Sequence, residues 1–287
     1  MDLARPDLRP DPSLSRQEME SLQREIAAAA AFDDDHALDP AAVAVESAAS
    51  LADGLPPARP DAVANETLPG TGGAVEESGV PTVVGVDQAF RTDRAGDRPD
   101  AAVSAAVAFR DGTVVEYASA TTPLSIPYIP GLLAFREGEP ILAALDALDA
   151  EADLLVCDGS GRIHFREAGL ATHVGVLCDV PSVGVAKSLL CGEPDEPTAE
   201  RPAGWRTPIR ADDAVTTAEP GTVIGHAFQS RQYPNSRRVN PLYVSPGHRV
   251  SAESAVDLVA ALCAGYKLPE PTRLADAHAE RAKGDAE

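Results

Sequence analysis

The sequence predicts a single α/β domain in which helices flank a mixed central sheet. Three strand-like stretches, 82–90, 101–112 and 113–122, come first, and Asp111-Gly112 between the last two is a strong hairpin signal. Two short, continuously apolar runs, 154–157 and 182–186, then alternate with helical patterns, as expected of strands that are buried on both faces. Antiparallel strands followed by strand–helix alternation indicate one sheet that contains both strand directions.

Composition divides the chain into four parts. Residues 1–37 hold a predicted helix over 14–32, because Met19, Leu22 and Ile26 recur at helical spacing. Residues 38–79 predict a disordered acidic insertion, since a stretch rich in Ala, Pro, Gly and acid buries too little apolar surface to offset the entropy of ordering it. The folded domain is expected at 80–277, and a polar tail at 278–287.

Further helices and strands follow from local signals. One helix is expected to begin at Pro140, whose fixed φ suits a first helical position, so that Glu137 would precede the helix. Helices are also predicted over 169–178 and over 252–264, the latter with Ser251 as N-cap and Gly265 at its end. The stretches 222–228 and 242–244 predict a hairpin pair, and the charged segment 193–213 predicts an excursion from the fold.

The formal net charge is −21, and residues 1–80 alone contribute −11. Such acidity argues against a generic binder of nucleic acid or anionic membrane. However, the chain has only three lysines and much alanine, which resembles the composition of haloarchaeal proteins. At about 1 M salt the Debye length is about 3 Å, so a distant acidic surface barely repels a polyanion. An acidic DNA-binding protein is therefore physically admissible in such a cell.

The four cysteines have no CxxC spacing and predict reduced thiols in the core, rather than a zinc site or a disulfide framework. The N-terminus has no basic-then-apolar signal, and no apolar run approaches the roughly 18 residues of a membrane span. We therefore expect a soluble, cytoplasmic protein without membrane contact, and a monomer.

Three carboxylates are candidates for metal binding. Asp87 and Asp158 each end an apolar strand, and Glu137 precedes the helix between those strands. If the strands are neighbours, about 4.8 Å apart, the acids converge and repel, and a hard divalent cation such as Mg²⁺ or Mn²⁺ resolves that repulsion. Such a site performs phosphoryl chemistry. The alternative is that both aspartates are turn residues and Glu137 is a helix cap.

A stiff loop precedes Glu137. Pro127 and Pro130 bracket Tyr128 and Ile129, and proline restricts both its own φ and the residue before it. Such a loop can hold an aromatic side chain outward at low entropic cost. The alternative is an ordinary surface tyrosine.

Glycines and histidines supply further candidates. Gly159 and Gly161 would let backbone approach a phosphate closely, although neither a P-loop frame nor a nucleophile elbow is present. His164 and His248 lie in predicted loops, where each is either a hydrogen-bonding surface residue or a proton-transfer group.

From Pro220 to Ala252 there is no acidic residue. This acid-free window has four arginines and two tyrosines: Arg231, Arg237, Arg238, Arg249, Tyr233 and Tyr243. Basic and aromatic residues together suit phosphate contacts and base stacking. The alternative is a structural hairpin whose arginines pair with acids elsewhere.

Six segments, in order, closely resemble the endonuclease V family of deoxyinosine-specific DNA repair nucleases. They cover nearly all of residues 81–277, and MDLA with the helix after it is similar to that family's N-terminus. The segments are VVGVDQAF, TTPLSIPYIPGLLAFRE, LLVCDGSGRIH, GLATHVGVLCDVPSVGVAKSLLCG, NPLYVSPGHRVS and GYKLPEPTRLADA.

The resemblance implies a ribonuclease-H-like fold and the three carboxylates as ligands of Mg²⁺, which Mn²⁺ can replace. It implies that residues 127–130 form a wedge that parts the strands at the lesion. The expected cut is the second phosphodiester bond 3′ of inosine, leaving 3′-hydroxyl and 5′-phosphate ends. His248 would assist at the metal, and Lys187 and His164 would contact the phosphate region. The remaining assignments to the lesion pocket and its phosphates are Gly159, Gly161 and Arg249.

Ser160 stands where family members often have histidine, and Phe165 interrupts the usual His-Pro-Arg at residues 164–166. These departures bear on His164 and the pocket rather than on the carboxylates. Two rival functions remain: an endoribonuclease for inosine in RNA, separated by a 2′-hydroxyl contact, and a non-catalytic binder of damaged or branched DNA.

Overall fold

A nine-stranded mixed sheet with helices on both faces forms the centre of the molecule. The computed structural model describes residues 1, 3–60, 79–92, 99–124 and 126–285. Its strands run in the order β3-β2-β1-β4-β5-β9-β8-β7-β6. They are β1 (Val83–Arg91), β2 (Ala101–Arg110), β3 (Thr113–Pro123), β4 (Leu154–Asp158), β5 (Ser182–Ala186), β6 (Glu193–Pro194), β7 (Arg206–Arg210), β8 (Val223–Phe228) and β9 (Leu242–His248). The predicted fold class is confirmed.

The strand directions follow the signals in the sequence. Asp111 and Gly112 both have positive φ, 48° and 64°, as a two-residue hairpin turn requires, and β2 pairs antiparallel with β3. In contrast, β1, β4 and β5 are mutually parallel and almost wholly buried, as their apolar runs predicted. The carboxyl ends of these three strands therefore meet at one edge of the sheet, which we call the carboxylate edge.

Among the residues that the structure describes, five α-helices cover the two faces of the sheet. Their bounds are α1 (Arg16–Ala29), α2 (Leu133–Asp146), α3 (Leu170–Cys178), α4 (Ala252–Leu262) and α5 (Glu270–Asp285). The first three pack on one face, with Ile26, Ile141 and Leu170 in a shared core, and α4 and α5 pack on the other. Helix α1 begins with a full capping box between Ser15 and Glu18. None of the described helices is both long and apolar enough to cross a membrane.

Helix α2 begins seven residues earlier than predicted, with Pro140 inside it. Proline removes only one hydrogen bond of the helix, whereas Leu132 and Phe135, each 2% exposed, add a further apolar turn to the buried face. Packing thus outweighs the local cost of the proline. As a result Glu137 lies within the helix, on its buried side, rather than in front of it.

Residues 38–60 pack on the fold, contrary to the prediction of disorder. Val43 and Val45 are buried in the core beneath α4, and the Tyr117 hydroxyl donates to the Pro56 carbonyl. The Ala49 amide donates to the buried Glu270 carboxylate. Sparse but well-spaced valines therefore order a stretch whose average composition is poor in apolar residues. Residues 61–78, the rest of the predicted insertion, lie outside the described residues.

Two other boundaries differ from expectation. The charged segment 193–213 is not an excursion, because it supplies β6 and β7 to the sheet. Helix α5 continues through the expected domain end at 277, with Ala279 fully buried, so most of the predicted tail is helical. The cysteines are free, and three of them are buried, as predicted.

Candidate active site

The centre of the carboxylate edge carries two aspartates. Val86 pairs with Cys157 as the last pair of the parallel β1–β4 ladder, so the next residues, Asp87 and Asp158, stand side by side where that ladder ends. Asp158 is the last residue of β4, whereas Asp87 lies within β1, which continues to Arg91. Neighbouring strands are about 4.8 Å apart. Asp87 is 6% exposed; its Oδ1 accepts the amide of Gln88 at 2.7 Å, and its buried Oδ2 has no hydrogen-bond partner. Burial, followed by the charge of Asp158, raises the pKa of Asp87 to about 8.

Lys187 follows β5 and faces these acids. Its Nζ donates to Oδ2 of Asp158 at 2.6 Å. Burial lowers the pKa of Lys187, but the charge and hydrogen bond of Asp158, with a contribution from Asp87, outweigh that effect and leave the pKa raised. The lysine is half exposed, so it is a cation that a phosphate at this edge can reach.

Glu137 is a buried residue of α2, which packs on the same face of the sheet as α1 and α3. Its Oε2 accepts the side-chain amide of Gln88 at 3.2 Å, and Gln88 is the residue after Asp87. Burial raises the pKa of Glu137 to about 7, while the charge of Arg136 and the Gln88 hydrogen bond oppose that rise. Gln88 thus links the third predicted carboxylate to the aspartate pair, a role that sequence reasoning missed.

A fourth acid, Asp276 on α5, was also missed. Its negative charge contributes to the raised pKa of both Asp87 and Lys187, which places it close to the pair. The approach of α5 depends on Gly85, where an added Cβ would lie 2.3 Å from the carbonyl carbon of Pro271. A glycine inside an apolar strand is the sequence signal for such a close approach.

The donors at this edge suit a hard divalent cation. Asp87 has an unpartnered buried oxygen beside a second carboxylate, which is the kind of repulsion that a cation removes. Within the described part of the chain, however, no three His, Cys, Asp or Glu side chains already have the spacing of a metal site. The structure therefore places Asp87 beside Asp158. Glu137 is connected to this pair through its hydrogen bond with Gln88, the residue after Asp87.

The proline-bracketed loop projects Tyr128, which is 62% exposed. Behind it, Ile129 packs on a small cluster that includes Met19 of α1 and Phe135 of α2. The loop ends at Gly131, with φ of 79°, a value that favours glycine. Apolar packing thus anchors one side of the tip while the aromatic ring stays in solvent.

The carbonyl of Gly131 is held by three side chains. It accepts from Gln23 Nε2 at 2.9 Å, His164 Nε2 at 3.0 Å and Arg166 at 3.3 Å. His164 Nδ1 accepts the amide of Arg166, so its proton lies on Nε2. Burial lowers the pKa of His164 to about 4. This histidine therefore supports the loop, rather than contacting a phosphate as predicted. Phe165 packs its ring against Gly131.

His248 and Arg249 lie at the opposite edge of the sheet, which corrects two assignments. Strand β9 runs antiparallel to β5, so His248 pairs with Ser182 at the start of β5 instead of lying near its end. The His248 Nε2 hydrogen-bonds Asp179 at 3.1 Å, and Arg249 pairs with Asp35 at 3.1 Å. Both side chains join the end of α1 to the end of α3.

Gly159 and Gly161 are used for packing rather than for phosphate approach. The Gly159 amide donates to the Val185 carbonyl, and the Gly161 amide donates to the Ser245 hydroxyl. A Cβ on Gly161 would lie 2.2 Å from the Pro246 carbonyl oxygen. The loop after β4 is therefore pressed against β9, and these two amides are already occupied.

The strand order and the two acids at the end of the β1–β4 ladder place the chain in the ribonuclease-H-like fold class. A family model described as Endonuclease V matches residues 72–277. The Endonuclease V of Natronomonas pharaonis is 56% identical over 283 residues, which cover 99% of this chain and 98% of that protein.

Solved structures agree. The Endonuclease V of Streptomyces avermitilis is 33% identical with a TM-score of 0.67, covering 97% of this chain and 98% of that one. The Ciona intestinalis Endonuclease V, solved with a 24mer DNA containing an inosine followed by a ribo-adenosine, is 24% identical with a TM-score of 0.63, covering 94% and 98%. The chain belongs to the endonuclease V family.

Proposed function

We propose that this protein recognises deoxyinosine in DNA and hydrolyses the second phosphodiester bond on its 3′ side, leaving 3′-hydroxyl and 5′-phosphate ends. The observation that carries the proposal is the pair Asp87–Asp158 with Lys187 at the carboxylate edge. These are three of the residues that the family resemblance implies, and Lys187, the half-exposed one, is the group that a phosphodiester would contact first. The Ciona relative, solved with inosine-containing DNA, is consistent with this substrate.

Each group at the edge has a role in this proposal. Asp87 and Asp158 would hold Mg²⁺ or Mn²⁺, with Glu137 and Asp276 as additional acids nearby. When bound, the cation lowers the pKa of an attacking water and stabilises charge at the leaving oxygen. Lys187 gives up part of its bond to Asp158 and donates to a non-bridging phosphate oxygen, so that the strand is positioned by a positive charge.

Recognition is assigned to the loop 127–130. Its exposed Tyr128 inserts beside the lesion. The hydrogen bonds to the Gly131 carbonyl hold the end of the loop in place when the loop contacts the duplex. Separating the strands costs a few kcal/mol per step and least at a mismatched base, so an inosine pair is opened in preference to a normal one. In concentrated salt the acidic surface would be screened, so binding to DNA and activity would persist there. The cytoplasmic location and the monomeric state stay predictions.

The test is cleavage of a 5′-labelled duplex that carries one deoxyinosine, in high KCl, with and without Mg²⁺. A matched duplex without inosine and an RNA of the same sequence with inosine serve as controls. We expect a Mg²⁺-dependent product that ends one nucleotide 3′ of the inosine. Cleavage of the RNA alone would replace the proposal with an inosine endoribonuclease, and tight binding without cleavage would replace it with a binding protein.

A further inference from the structure

A second exposed surface lies at the carboxylate edge, beyond Lys187. Residues 229–241 join β8 to β9, and we call them the arginine loop. Strand β9 starts beside Phe228, and its Tyr243 pairs with Ala186, the residue before Lys187. The arginine loop therefore leaves the sheet at the same edge as the aspartate pair.

The arginine loop has a built conformation. The side-chain amide of Gln229 donates to the carbonyls of Arg231 at 2.7 Å and Val239 at 2.9 Å. Gln232 donates to the Arg201 carbonyl at 2.9 Å, and its Oε1 accepts the Val239 amide at 3.0 Å. Two buried or half-buried glutamines thus replace the cross-strand bonds that a tight hairpin would make. The backbone of this loop is therefore held in a defined conformation.

Within the described part of the chain, no carboxylate neutralises the positive charge of this loop. Over the described residues, Arg231, Arg237 and Arg238 have no carboxylate partner, and Arg237 donates only to the backbone carbonyl of Glu200. By contrast, Arg210 on β7 is paired with Asp195 at 2.7 Å. In a chain with 45 acidic residues, these three arginines fall within one short loop and concentrate positive charge there, which suits an anionic partner.

Aromatic rings lie among these charges. Tyr233 and Tyr266 are 50% and 46% exposed, and the Arg231 guanidinium lies 5.3 Å from the first ring centroid and 5.8 Å from the second. Lys267 follows Tyr266 in the chain, and its carbonyl accepts the Ser230 hydroxyl at 2.6 Å, so it lies beside the arginine loop. Burial, followed by the charge of Lys187, lowers the pKa of Lys267. The arginine–tyrosine surface consists of Arg231, Tyr233, Arg237, Arg238, Tyr266 and Lys267.

We propose that the arginine–tyrosine surface binds the substrate strand on the 3′ side of the bond that is cut. Arginines would contact its phosphates and the tyrosine rings would stack on its bases. The assignment to the 3′ side follows from the positions of Tyr128, the aspartate pair and Tyr266, and it rests on the function proposed above. Tyr128 belongs to the loop before α2, where Ile129 packs on α1 and α2, and these helices cover one face of the sheet. Tyr266 belongs to the connection from α4 to α5, which cover the other face, and the aspartate pair lies in the sheet itself. With inosine at Tyr128 and the cut 3′ of it, the strand continues onto the arginine loop.

Stacking explains why tyrosines accompany the arginines. Concentrated salt shortens the Debye length to about 3 Å and weakens phosphate contacts that are exposed to solvent. Base stacking on an aromatic ring, worth about 1–3 kcal/mol per base, does not depend on charge. A surface that combines both retains nucleic acid in the saline cytosol that the composition indicates.

The test compares the wild type with the double variant Arg237→Ala/Arg238→Ala on inosine duplexes whose 3′ flank is shortened from about twelve to about two nucleotides. We expect the wild type to lose about 10-fold or more in kcat/KM on shortening, mainly through KM. The double variant should show the same loss in kcat/KM on the long duplex, and shortening the 3′ flank should not reduce its kcat/KM further. In a plot of log KM against log salt concentration, the slope of the double variant should be smaller than that of the wild type by about 2. Arg210→Ala, which removes one exposed but paired arginine, should behave as the wild type.

Several outcomes would overturn the proposal. One is a double variant that responds to 3′ shortening as the wild type does. Another is a loss that appears only when the 5′ flank is shortened, which would reverse the polarity. If the wild type cuts no inosine substrate, the proposed function is wrong, and the proposed binding surface has to be tested without cleavage. Binding of a fluorescent undamaged duplex then decides the surface, which is supported if the double variant binds more weakly and is overturned if it binds equally.

Discussion

The Gly131 carbonyl gives the sharpest test of how the recognition loop is held. Gln23 is 1% exposed; it donates to this carbonyl at 2.9 Å and accepts from Arg166 at 2.7 Å. The substitution Gln23→Ala removes both hydrogen bonds, each worth about 1 kcal/mol net, and leaves a half-buried Arg166 donor without its acceptor. We therefore expect the free energy of unfolding to fall by about 2–3 kcal/mol.

Activity should fall together with stability, because a displacement of about 1 Å in a positioning group can cost about 100-fold in rate. We expect Gln23→Ala to lose about 10- to 100-fold in kcat/KM on an inosine duplex. Affinity for an undamaged duplex should be unchanged, since no surface charge is altered. Urea unfolding and steady-state cleavage measure the two quantities.

Gln17→Ala is the matched control. Gln17 is an exposed glutamine on the same helix, so its replacement should change stability by no more than about 0.5 kcal/mol. The reasoning is refuted if Gln23→Ala loses stability but cuts inosine duplexes as fast as the wild type. In that case the three-donor contact stabilises the fold without positioning Tyr128.

Three further predictions follow from packing, titration and charge. Gly85→Ala would place a Cβ 2.3 Å from the Pro271 carbonyl carbon, and the forced shift of α5 should cost about 2–3 kcal/mol in urea unfolding; an unchanged midpoint would show that α5 can move freely. Burial lowers the pKa of His173 from 6.5 to about 4, so the unfolded chain takes up this proton first as the pH falls, and stability should decline from about pH 6.5 to about pH 4. His173→Gln should flatten that decline, and an equally steep profile in the variant would contradict the assignment. Cleavage should persist in molar KCl, because the acidic surface is then screened; activity that peaks at low salt and vanishes in molar KCl would contradict the halophilic interpretation.

The sheet and its aspartate pair could be predicted because their signals are local. An apolar run followed by aspartate indicates a buried strand and the place where the acid leaves the core. Asp158 ends β4 as predicted, whereas β1 continues past Asp87 to Arg91. The Asp111-Gly112 turn likewise fixes a hairpin by its own backbone preference.

The remaining site residues depend on partners that are distant in the chain. Gln23 and Gly131 are separated by 108 positions, and no local sequence signal at either residue indicates their contact. His248 was misplaced because the sequence does not give the direction in which β9 crosses the sheet. For Pro140, the local preference for a helix start was real, but the buried contacts of Phe135 extended the helix beyond it.

The acid-free window had two interpretations, structural pairing or phosphate binding, and in the structure its arginines differ in which of the two they fit. Arg249 is paired with Asp35, as the structural alternative held. Arg231, Arg237 and Arg238 have no such partner among the described residues, in keeping with the phosphate-binding alternative. Charge pairing is a property of the folded surface, so sequence position alone could not separate these cases.

The most direct test of the central claim is cleavage of a single-inosine duplex by Asp87→Asn with saturating Mg²⁺. The substitution keeps the shape of the side chain and removes the charge that would hold the cation. We predict binding to the duplex at least as tight as that of the wild type, and a cleavage rate lower by about 1000-fold or more, which corresponds to about 4 kcal/mol of lost transition-state stabilisation. Cleavage by Asp87→Asn at the wild-type rate would contradict the assignment of catalysis to the carboxylate edge.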